Sequence, residues 1–415
     1  MMRRLFLGSR GSVIRSHNLR AILLALLRYE PVSRVRLAQV TQLSNTTITN
    51  LIAELLEQGV VVEDAPSELN GRRGVGRPQT ALRLSPDSRY TVGIHFDVDQ
   101  VRAAVVNLRG QALRSGTHPH SFDQTPETVL TKTAALVEQV TTGLDDRRCV
   151  GLGVGVSGLA DPSTGVNVFA PNLGWRGVPV AEWFARRFGF PVCLDNNVRV
   201  MALAETLFGA GRDAHTLAFV YARIGVGAGF AVNGQIYRGS GAGAGEIGHT
   251  TLLPDGGDTC RCGNTGCLET LVSEPAILRL ANRIAADHPG GLLAQALEAG
   301  QGSPIERVFA AARAGDAPTR AMLVERARYM GIALANLVNI LNPDLIVLGG
   351  LFDQGQDLLL PSVRQTIRER SFAHLGERVE LRTATFGVLA GVVGAAALAL
   401  DTFFYRQEQT EPQPG

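Results

Sequence analysis

The clearest shortage in this 415-residue sequence is lysine, because Lys132 is the only lysine among 40 basic residues. It lies in an amphipathic helical pattern over residues 126–142. Phosphate-loop, Schiff-base and nucleophilic mechanisms that need a lysine could use only this residue, so we do not expect them. Positively charged contacts with an anionic partner must therefore rely on arginine rather than lysine.

Cysteines and long apolar runs are also scarce. There are five cysteines, an odd number, and three of them crowd into residues 260–267, which does not fit a secreted disulfide framework. The apolar run at residues 5–7 is too short for a secretory signal. The longest uncharged stretch, residues 383–400, is rich in glycine and alanine and predicts a buried helix rather than a membrane span. We expect a soluble, cytoplasmic protein with a disordered tail at residues 406–415.

The net charge of +2 is divided unevenly along the chain. Residues 1–84 contain 12 arginines and six acidic residues, a net charge of +6, and the remainder carries −4. Apolar residues make up 45% of the sequence, enough to bury a core, so wholesale disorder is excluded. The charge division predicts a polyanion-binding head on a different kind of body.

The first 84 residues have the pattern of a winged helix-turn-helix domain. Helical patterns cover residues 16–28, 34–40 and 44–58, and Ser33 and Ser44 are suitable caps for the second and third helices. The second helix is expected to bury Val35, Leu37 and Ala38. Two strand patterns, residues 60–62 and 81–84, flank a basic, glycine-rich segment at residues 71–78, as in a wing.

The third helix and the wing predict contacts with DNA. Short amide and hydroxyl side chains at a helix N-terminus can bind base edges and phosphates in a major groove, and arginines on a loop suit phosphates or a narrow minor groove. The alternatives are a solvated helix face, which the poor helix propensity of Thr and Asn disfavours, and a plain linker. The predicted contacts are Ser44, Asn45, Thr46, Thr47, Thr49, Asn50, Arg72, Arg73 and Arg77.

From residue 90 onward, strand and helix patterns alternate. This alternation predicts an α/β body, and glycine-rich turns after strands weakly indicate a nucleotide or sugar site. The predicted strands are residues 90–96, 101–108, 150–156, 217–223, 229–233 and 345–348, and the predicted helices are residues 126–142 and 180–188.

A cluster of metal-ligating residues stands out in the second half of the chain. His249, Cys260, Cys262 and Cys267 predict a tetrahedral Cys₃His zinc site, with glycines at 263 and 266 that let the loop fold back. Four protein ligands leave no coordination position for an activated water, so this Zn²⁺ would be structural. A group of buried free thiols is the alternative. The other two cysteines are expected to lie in the core.

This segment resembles the zinc signature of the ROK family, whose members are sugar-responsive repressors and sugar kinases. The resemblance rests on GEIGH at residues 245–249 and CRCGNTGCLE at residues 260–269, and it extends over nearly the whole chain. The other matching blocks are residues 33–50, 76–78, 171–175, 195–197, 342–344, 349–350 and 389–391.

The resemblance implies a two-lobed actin-like body, of the ribonuclease-H-like and hexokinase-like kind, behind the winged helix. The implied domains are residues 1–84 for DNA binding, 85–205 for the first lobe and 206–385 for the second, with residues 386–404 returning to the first lobe. The sugar contacts carried over from the family fall on Asn172, Asn196, Asn197, Glu246, His249 and Glu269. His249 would bind zinc through one ring nitrogen and face the sugar with the other.

Two departures from the family's kinases indicate a body that binds without catalysis. Residues 95–99 read HFDVD where the kinases have an Asp-x-Gly-Gly-Thr phosphate loop, and Asn197 takes the place of the aspartate general base. We therefore predict a sugar-responsive transcriptional repressor, not an enzyme, that binds operator DNA as a homodimer or tetramer. The alternatives are an ATP-dependent sugar kinase with a DNA-binding domain, and a regulator controlled by a docking protein. The glycine-rich turn at residues 224–229 is weak evidence for ATP.

Overall fold

The computed structural model describes residues 11–64, 80–121, 123–300 and 302–405. The predicted wing tip, with Arg72, Arg73 and Arg77, lies outside these residues, and so does the predicted tail.

The head contains three helices and a two-stranded antiparallel sheet. Ser33 and Ser44 cap the second and third helices by accepting hydrogen bonds from the backbone N–H groups of Arg36 and Thr47, as the sequence predicts. The expected burial of Val35 is wrong: the side chain is half exposed, because this eight-residue helix meets its neighbours through Leu37. The elements are α1 (Gly11–Tyr29), α2 (Arg34–Thr41), α3 (Asn45–Glu57), β1 (Val61–Glu63) and β2 (Leu82–Leu84).

The first lobe is built on a five-stranded sheet with the order β10-β6-β3-β4-β5. Strands β3 to β5 form an antiparallel meander, and β6 and β10 are added in parallel to β3. A small sheet of β7, β8 and β9 lies beside it. The elements are β3 (Tyr90–Phe96), β4 (Gln100–Asn107), β5 (Ala112–Pro119), α4 (Pro126–Thr141), β6 (Cys149–Val156), β7 (Leu159–Asp161), β8 (Val166–Ala170), β9 (Trp175–Val178), α5 (Val180–Phe188), β10 (Val192–Asn196) and α6 (Asn197–Leu207).

The second lobe repeats this topology. Its sheet has the order β13-β12-β11-β14-β15, again with an antiparallel meander and two parallel strands. Two such sheets in one chain are the architecture of an actin-like body, which confirms the predicted fold class. The elements are β11 (Thr216–Ala222), β12 (Val226–Val232), β13 (Gln235–Tyr237), α7 (Leu268–Val272), α8 (Glu274–Asp287), α9 (Leu292–Glu298), α10 (Pro304–Arg313), α11 (Ala317–Leu341), β14 (Leu345–Gly350), α12 (Leu351–Arg370), α13 (Leu375–Arg378) and β15 (Glu380–Thr383).

The last helix, α14 (Ala390–Ala399), returns to the first lobe and continues as a π-helix, Leu400–Tyr405. It packs directly on the sheet because the strands carry glycine where it crosses them. A Cβ atom at Gly93 would lie 2.0 Å from the carbonyl oxygen of Val392. The segment Gly387–Tyr405 is long and apolar enough to cross a membrane. However, 72% of the 18-residue stretch that meets this criterion is buried inside the structure. The predicted buried helix is therefore confirmed.

Among the described residues, one hydrophobic cluster contains side chains of both the head and the body. The cluster contains residues of α1 and α3, the C-terminal half of α6, and the end of the π-helix. Ion pairs join the same two regions: Arg20 of α1 binds Asp401 at 2.8 Å, and Glu30 binds Arg109 at 2.7 Å. The head is therefore packed on the first lobe and α6, which positions it relative to the cleft between the lobes.

Candidate functional site

A cavity of about 380 Å³ lies in the cleft between the two lobes. This volume is in the range of small-molecule sites. The ends of β6 and β10 and the β8–β9 loop form one side, and the β11–β12 turn, the segment before residue 250 and α7 form the other. All six predicted sugar-binding residues line it: Asn172, Asn196, Asn197, Glu246, His249 and Glu269.

The first lobe contributes the amide side chains. Asn196 is the N-cap of α6: its Oδ1 accepts from the backbone N–H groups of Val198 and Arg199, and its Nδ2 donates to the carbonyl oxygen of Gly158 at 3.0 Å. Asn197 donates to the hydroxyl of Ser157 at 3.3 Å. These bonds fix the two amides at the start of a helix whose following residues are all buried.

The second lobe contributes carboxylates and an imidazole. Glu269, in the first turn of α7, accepts the backbone N–H of Val226 at 2.9 Å through Oε2. Its other carboxylate oxygen has no protein donor among the described residues. Glu246 has one oxygen 4.0 Å from Nε2 of His249. Carboxylate oxygens accept hydrogen bonds and suit hydroxyl donors, so this side of the cavity fits a polyhydroxylated ligand.

The four predicted metal ligands come together beside the cavity. The ligand atoms of His249, Cys260, Cys262 and Cys267 lie within 4.8 Å of one another. The Sγ atoms of Cys262 and Cys267 are 3.8 Å apart, and Sγ of Cys260 is 3.6 Å from Nδ1 of His249. A tetrahedral zinc with its usual bond lengths requires edges of about 3.8 Å between two sulfurs and about 3.6 Å between sulfur and nitrogen. The cluster could therefore hold a metal ion.

The loop geometry explains how a segment of eight residues, 260–267, brings three thiols together. Gly266 has a φ of +71°, and a Cβ there would lie 1.7 Å from the carbonyl oxygen of Leu253. Only glycine fits this close approach. Burial raises the pKa of Cys267 to about 12, so without a bound cation this thiol stays protonated at neutral pH. The remaining cysteines, Cys149 and Cys193, lie on strands of the first lobe.

Residues 95–99, which the family resemblance matches to the phosphate loop of the kinases, form ion pairs with an arginine of the second lobe. Arg223, at the end of β11, binds Asp97 and lies 3.5 Å from Asp99. Burial opposes the charge of Arg223, but the neighbouring Asp97 carboxylate holds its pKa above the usual value. His95 is fully buried against Gly391, and burial lowers its pKa, so the ring is neutral. This turn is therefore carboxylate-rich and has no glycine backbone open to a phosphate.

Two further arginines of the second lobe reach across the cleft, and the sequence analysis missed both. Arg238 binds Asp195 at 2.8 Å, and Asp195 is also bound by the buried Arg199. Arg261, between two metal ligands, donates to Oδ1 of Asn172 at 2.8 Å and lines the cavity. The position of Arg261 inside the cysteine motif was the only available signal, and nothing in the sequence paired Arg238 with Asp195.

The predicted DNA-contacting face of α3 is exposed. Ile48, Leu51, Ile52 and Leu55 are buried, while Thr47 is half-buried and its polar neighbours are exposed. The hydroxyl of Thr49 donates to the carbonyl oxygen of Asn45 at 2.8 Å, so this hydroxyl forms a hydrogen bond within its own helix. The other exposed residues of the set are Ser44, Asn45, Thr46 and Asn50.

Comparison with known proteins settles the family. A model of the ROK family matches residues 91–402, which is most of the body. The chain belongs to the ROK family. The family resemblance inferred from the cysteine motif is thus confirmed.

ROK proteins similar to this chain include both regulators and kinases. The xylose repressor of Caldicellulosiruptor bescii is 29% identical over 392 residues, covering 94% of this chain and 96% of that protein. A ROK transcriptional regulator, a homologue of the E. coli MLC protein, superposes with a TM-score of 0.79 at 26% identity and covers 95% of this chain and 97% of its own. A ROK glucokinase from Streptomyces griseus, solved with glucose and AMPPNP, has a TM-score of 0.68 at 30% identity and covers 75% of this chain and 99% of its own.

Proposed function

We propose that this protein is a sugar-responsive transcriptional regulator, a cytoplasmic repressor that binds operator DNA with its head and a carbohydrate in the cleft of its body. The observation that carries the proposal is the course of α6. This helix begins at the cavity with Asn196 as its cap and ends in the hydrophobic cluster that holds the head. Similarity to a xylose repressor and a ROK regulator over nearly the whole chain supports the same function.

The sugar is proposed to bind between the amide side chains of one lobe and the acidic side chains of the other. The unpaired oxygen of Glu269 and the carboxylate of Glu246 accept hydrogen bonds from ring hydroxyls, while amide N–H groups donate to ring oxygens. Contacts from both lobes make binding sensitive to their relative position. The residues proposed to bind the sugar are Asn172, Asn196, Asn197, Glu246, His249 and Glu269.

A structural Zn²⁺ is proposed to fix the second-lobe wall of this site. His249 would bind it through Nδ1, the atom that faces Cys260, which leaves Nε2 on the side of Glu246 and the cavity. Bound zinc supplies a rigid cross-link for the loop and sets the tautomer of the histidine. It needs no part in chemistry, because four protein ligands fill a tetrahedral site.

The same helix gives a physical route from sugar to DNA. Near its C-terminal end, Glu205 accepts hydrogen bonds from Thr385 and Ala210 of the second lobe, and Leu203 and Leu207 belong to the cluster shared with the head. A change in lobe closure therefore acts on α6 and on the packing of the head. A sugar that prefers one closure shifts the population of the DNA-competent arrangement.

Operator DNA is proposed to bind the exposed face of α3 together with the predicted wing arginines. In a homodimer the two heads would address a palindromic site, since operator symmetry follows protein symmetry. The proposed contacts remain Ser44, Asn45, Thr46, Thr47, Thr49, Asn50, Arg72, Arg73 and Arg77.

Catalysis is not part of the proposal, although glucokinases share the body fold. Asn197 carries an amide at the position of the family's general base, and an amide cannot accept a hydroxyl proton. The pairing of Asp97 with Arg223 replaces a phosphate loop. A kinase would show ADP release that depends on both ATP and sugar and that disappears in a Glu269→Gln variant; we expect no such turnover.

The effector is tested by thermal denaturation of the full chain with a panel of mono- and disaccharides. A ligand that binds only the folded state raises the melting temperature. The same panel is then added to the protein bound to a DNA fragment selected from a random library. The proposal expects at least one sugar to raise Tm and to change DNA affinity, and it fails if no sugar does either.

A further inference from the structure

Among the cavity residues that the structure describes, one arginine forms no ion pair with a carboxylate. Three arginines of the second lobe cross the cleft, and two of them end on first-lobe carboxylates: Arg223 on Asp97 and Arg238 on Asp195. The third, Arg261, ends on the amide of Asn172. Among the described residues it has no carboxylate within ion-pair distance, although it lines the same cavity as Glu246 and Glu269.

The contact with Arg261 also sets the orientation of the side-chain amide of Asn172. A guanidinium has only donors, so it must take the carbonyl oxygen of the amide, Oδ1, at 2.8 Å. The amide N–H₂ group of Asn172 is then left for a ligand, and it finds no acceptor among the described residues. At this place the cavity therefore offers several donors and a positive charge, whereas Glu246 and Glu269 offer acceptors and negative charge.

We propose that the cavity selects an acidic sugar, whose hydroxyls donate to Glu246 and Glu269 and whose anionic group binds between Arg261 and the amide N–H₂ of Asn172. This inference rests on the proposed function, because it names the chemical class of the effector. A guanidinium matches a carboxylate or a phosphate through two parallel hydrogen bonds, and such charge-assisted bonds are stronger than neutral ones. A neutral sugar leaves the donors of Arg261 to water.

The loop that carries Arg261 suits this role. Arg261 lies between Cys260 and Cys262 in the sequence, two of the four clustered ligands, so a bound metal would restrain the backbone from which its side chain extends. Asn172 lies in the β8–β9 loop of the first lobe, so an anion bound to both would hold the lobes together. The anionic group would thus act in both recognition and closure.

Isothermal titration of the full-length, metal-replete protein tests the proposal. The probes are D-glucose, D-galactose, D-mannose and D-xylose, with the uronates and 6-phosphates of the three hexoses. We expect at least one acid to bind about 10-fold tighter than its neutral parent. Comparing the uronates with the 6-phosphates shows whether the preferred anionic group is a carboxylate or a phosphate. Arg261→Gln should lower the affinity for the acid about 10-fold more than the affinity for its neutral parent, and Arg261→Lys should restore part of this difference.

Arg279→Gln is the matched control, because Arg279 is an exposed second-lobe arginine whose partner, Asp258, lies outside the cavity. It should leave the preference for the acid unchanged. The proposal is overturned if every acid binds no better than its parent, or if Arg261→Gln weakens neutral and acidic sugars equally, as a purely structural link between the lobes would. Binding of neutral sugars alone, or of none of the ten probes, overturns this inference, whereas the sugar-binding function itself fails only if no sugar of the thermal-denaturation panel binds.

Discussion

The head and the body present their proposed recognition groups in opposite ways. In the head, short polar side chains stand on the exposed face of α3, while nearby arginines are held in surface ion pairs such as Arg34 with Glu63. In the body, the proposed groups line a cleft, and Asn172, Asn196, Asn197 and Glu269 are each oriented by a hydrogen bond to the backbone or to the opposite lobe. The two regions share no proposed ligand-binding residue, and among the described residues they are joined by a hydrophobic cluster and by ion pairs. DNA binding, sugar binding and their coupling should therefore be separable by mutation.

The largest loss of sugar affinity is expected from removing a proposed metal ligand, because the metal would hold the second-lobe side of the cavity in place. Cys262→Ser removes one of four ligands, so bound zinc should fall from one ion per chain to near zero, measured by elemental analysis. Because His249 and the Arg261 loop lose their anchor, sugar affinity should fall by about 100-fold and Tm should drop. Cys193→Ser, a thiol outside the cluster, is the control and should keep the metal. A metal-free protein with a full sugar response would contradict the assigned role.

A change inside the cleft should affect the body and leave the head untouched. Glu269→Gln removes the charge that receives a sugar hydroxyl, so sugar affinity measured by titration should fall by about 30-fold, the value of a charge-assisted hydrogen bond. DNA affinity in the absence of sugar should stay the same. Glu298→Gln, at the exposed end of α9, should change neither quantity. Loss of sugar-free DNA binding in the Glu269 variant would show that the two regions are not separate.

The reverse experiment changes the head alone. Asn50→Ala removes an exposed amide from the predicted DNA face of α3, and affinity for the selected DNA should fall by about 10-fold in an anisotropy titration. Sugar affinity should not change. Gln58→Ala removes the same functional group from the other end of the helix and serves as the control. Equal losses in both variants, or none, would argue against the assigned face.

The smallest effect concerns the contact between the regions. Asp401→Asn weakens the partly buried pair with Arg20, so the sugar-dependent change in DNA affinity should shrink by about threefold while each separate affinity is kept. Arg20→Gln should act in the same way, which guards against a folding defect in one variant. Asp213→Asn breaks a more exposed head–body pair, with Arg28, and should have little effect. Unchanged coupling in both Arg20 and Asp401 variants would exclude this contact from the route.

Local signals in the sequence predicted much of this molecule. Capping serines, the apolar periodicity of α3 and the strand pattern at Tyr90–Phe96 depend on neighbouring residues, and the structure has each of them where it was expected. The metal ligands were identifiable because glycine and cysteine spacing is a local property of one loop.

Long-range pairings could not be predicted from the same signals. Arg238 lies 43 residues from its partner Asp195, and Arg20 lies 381 residues from Asp401. Whether an arginine reaches a carboxylate or an amide depends on how two lobes close on each other. The small strands β7 to β9 and helix α6 were also not predicted as elements, since short apolar runs and a helix buried on all sides carry no clear periodicity.

One measurement tests the central claim most directly: the binding isotherm of the full-length protein on its selected palindromic DNA, with and without the sugar found by thermal denaturation. The account predicts tight binding without sugar and an affinity at least about five-fold weaker at saturating sugar, reversed when the sugar is removed. Superimposable isotherms, with the sugar shown to be bound, would contradict the claim that the body controls the head.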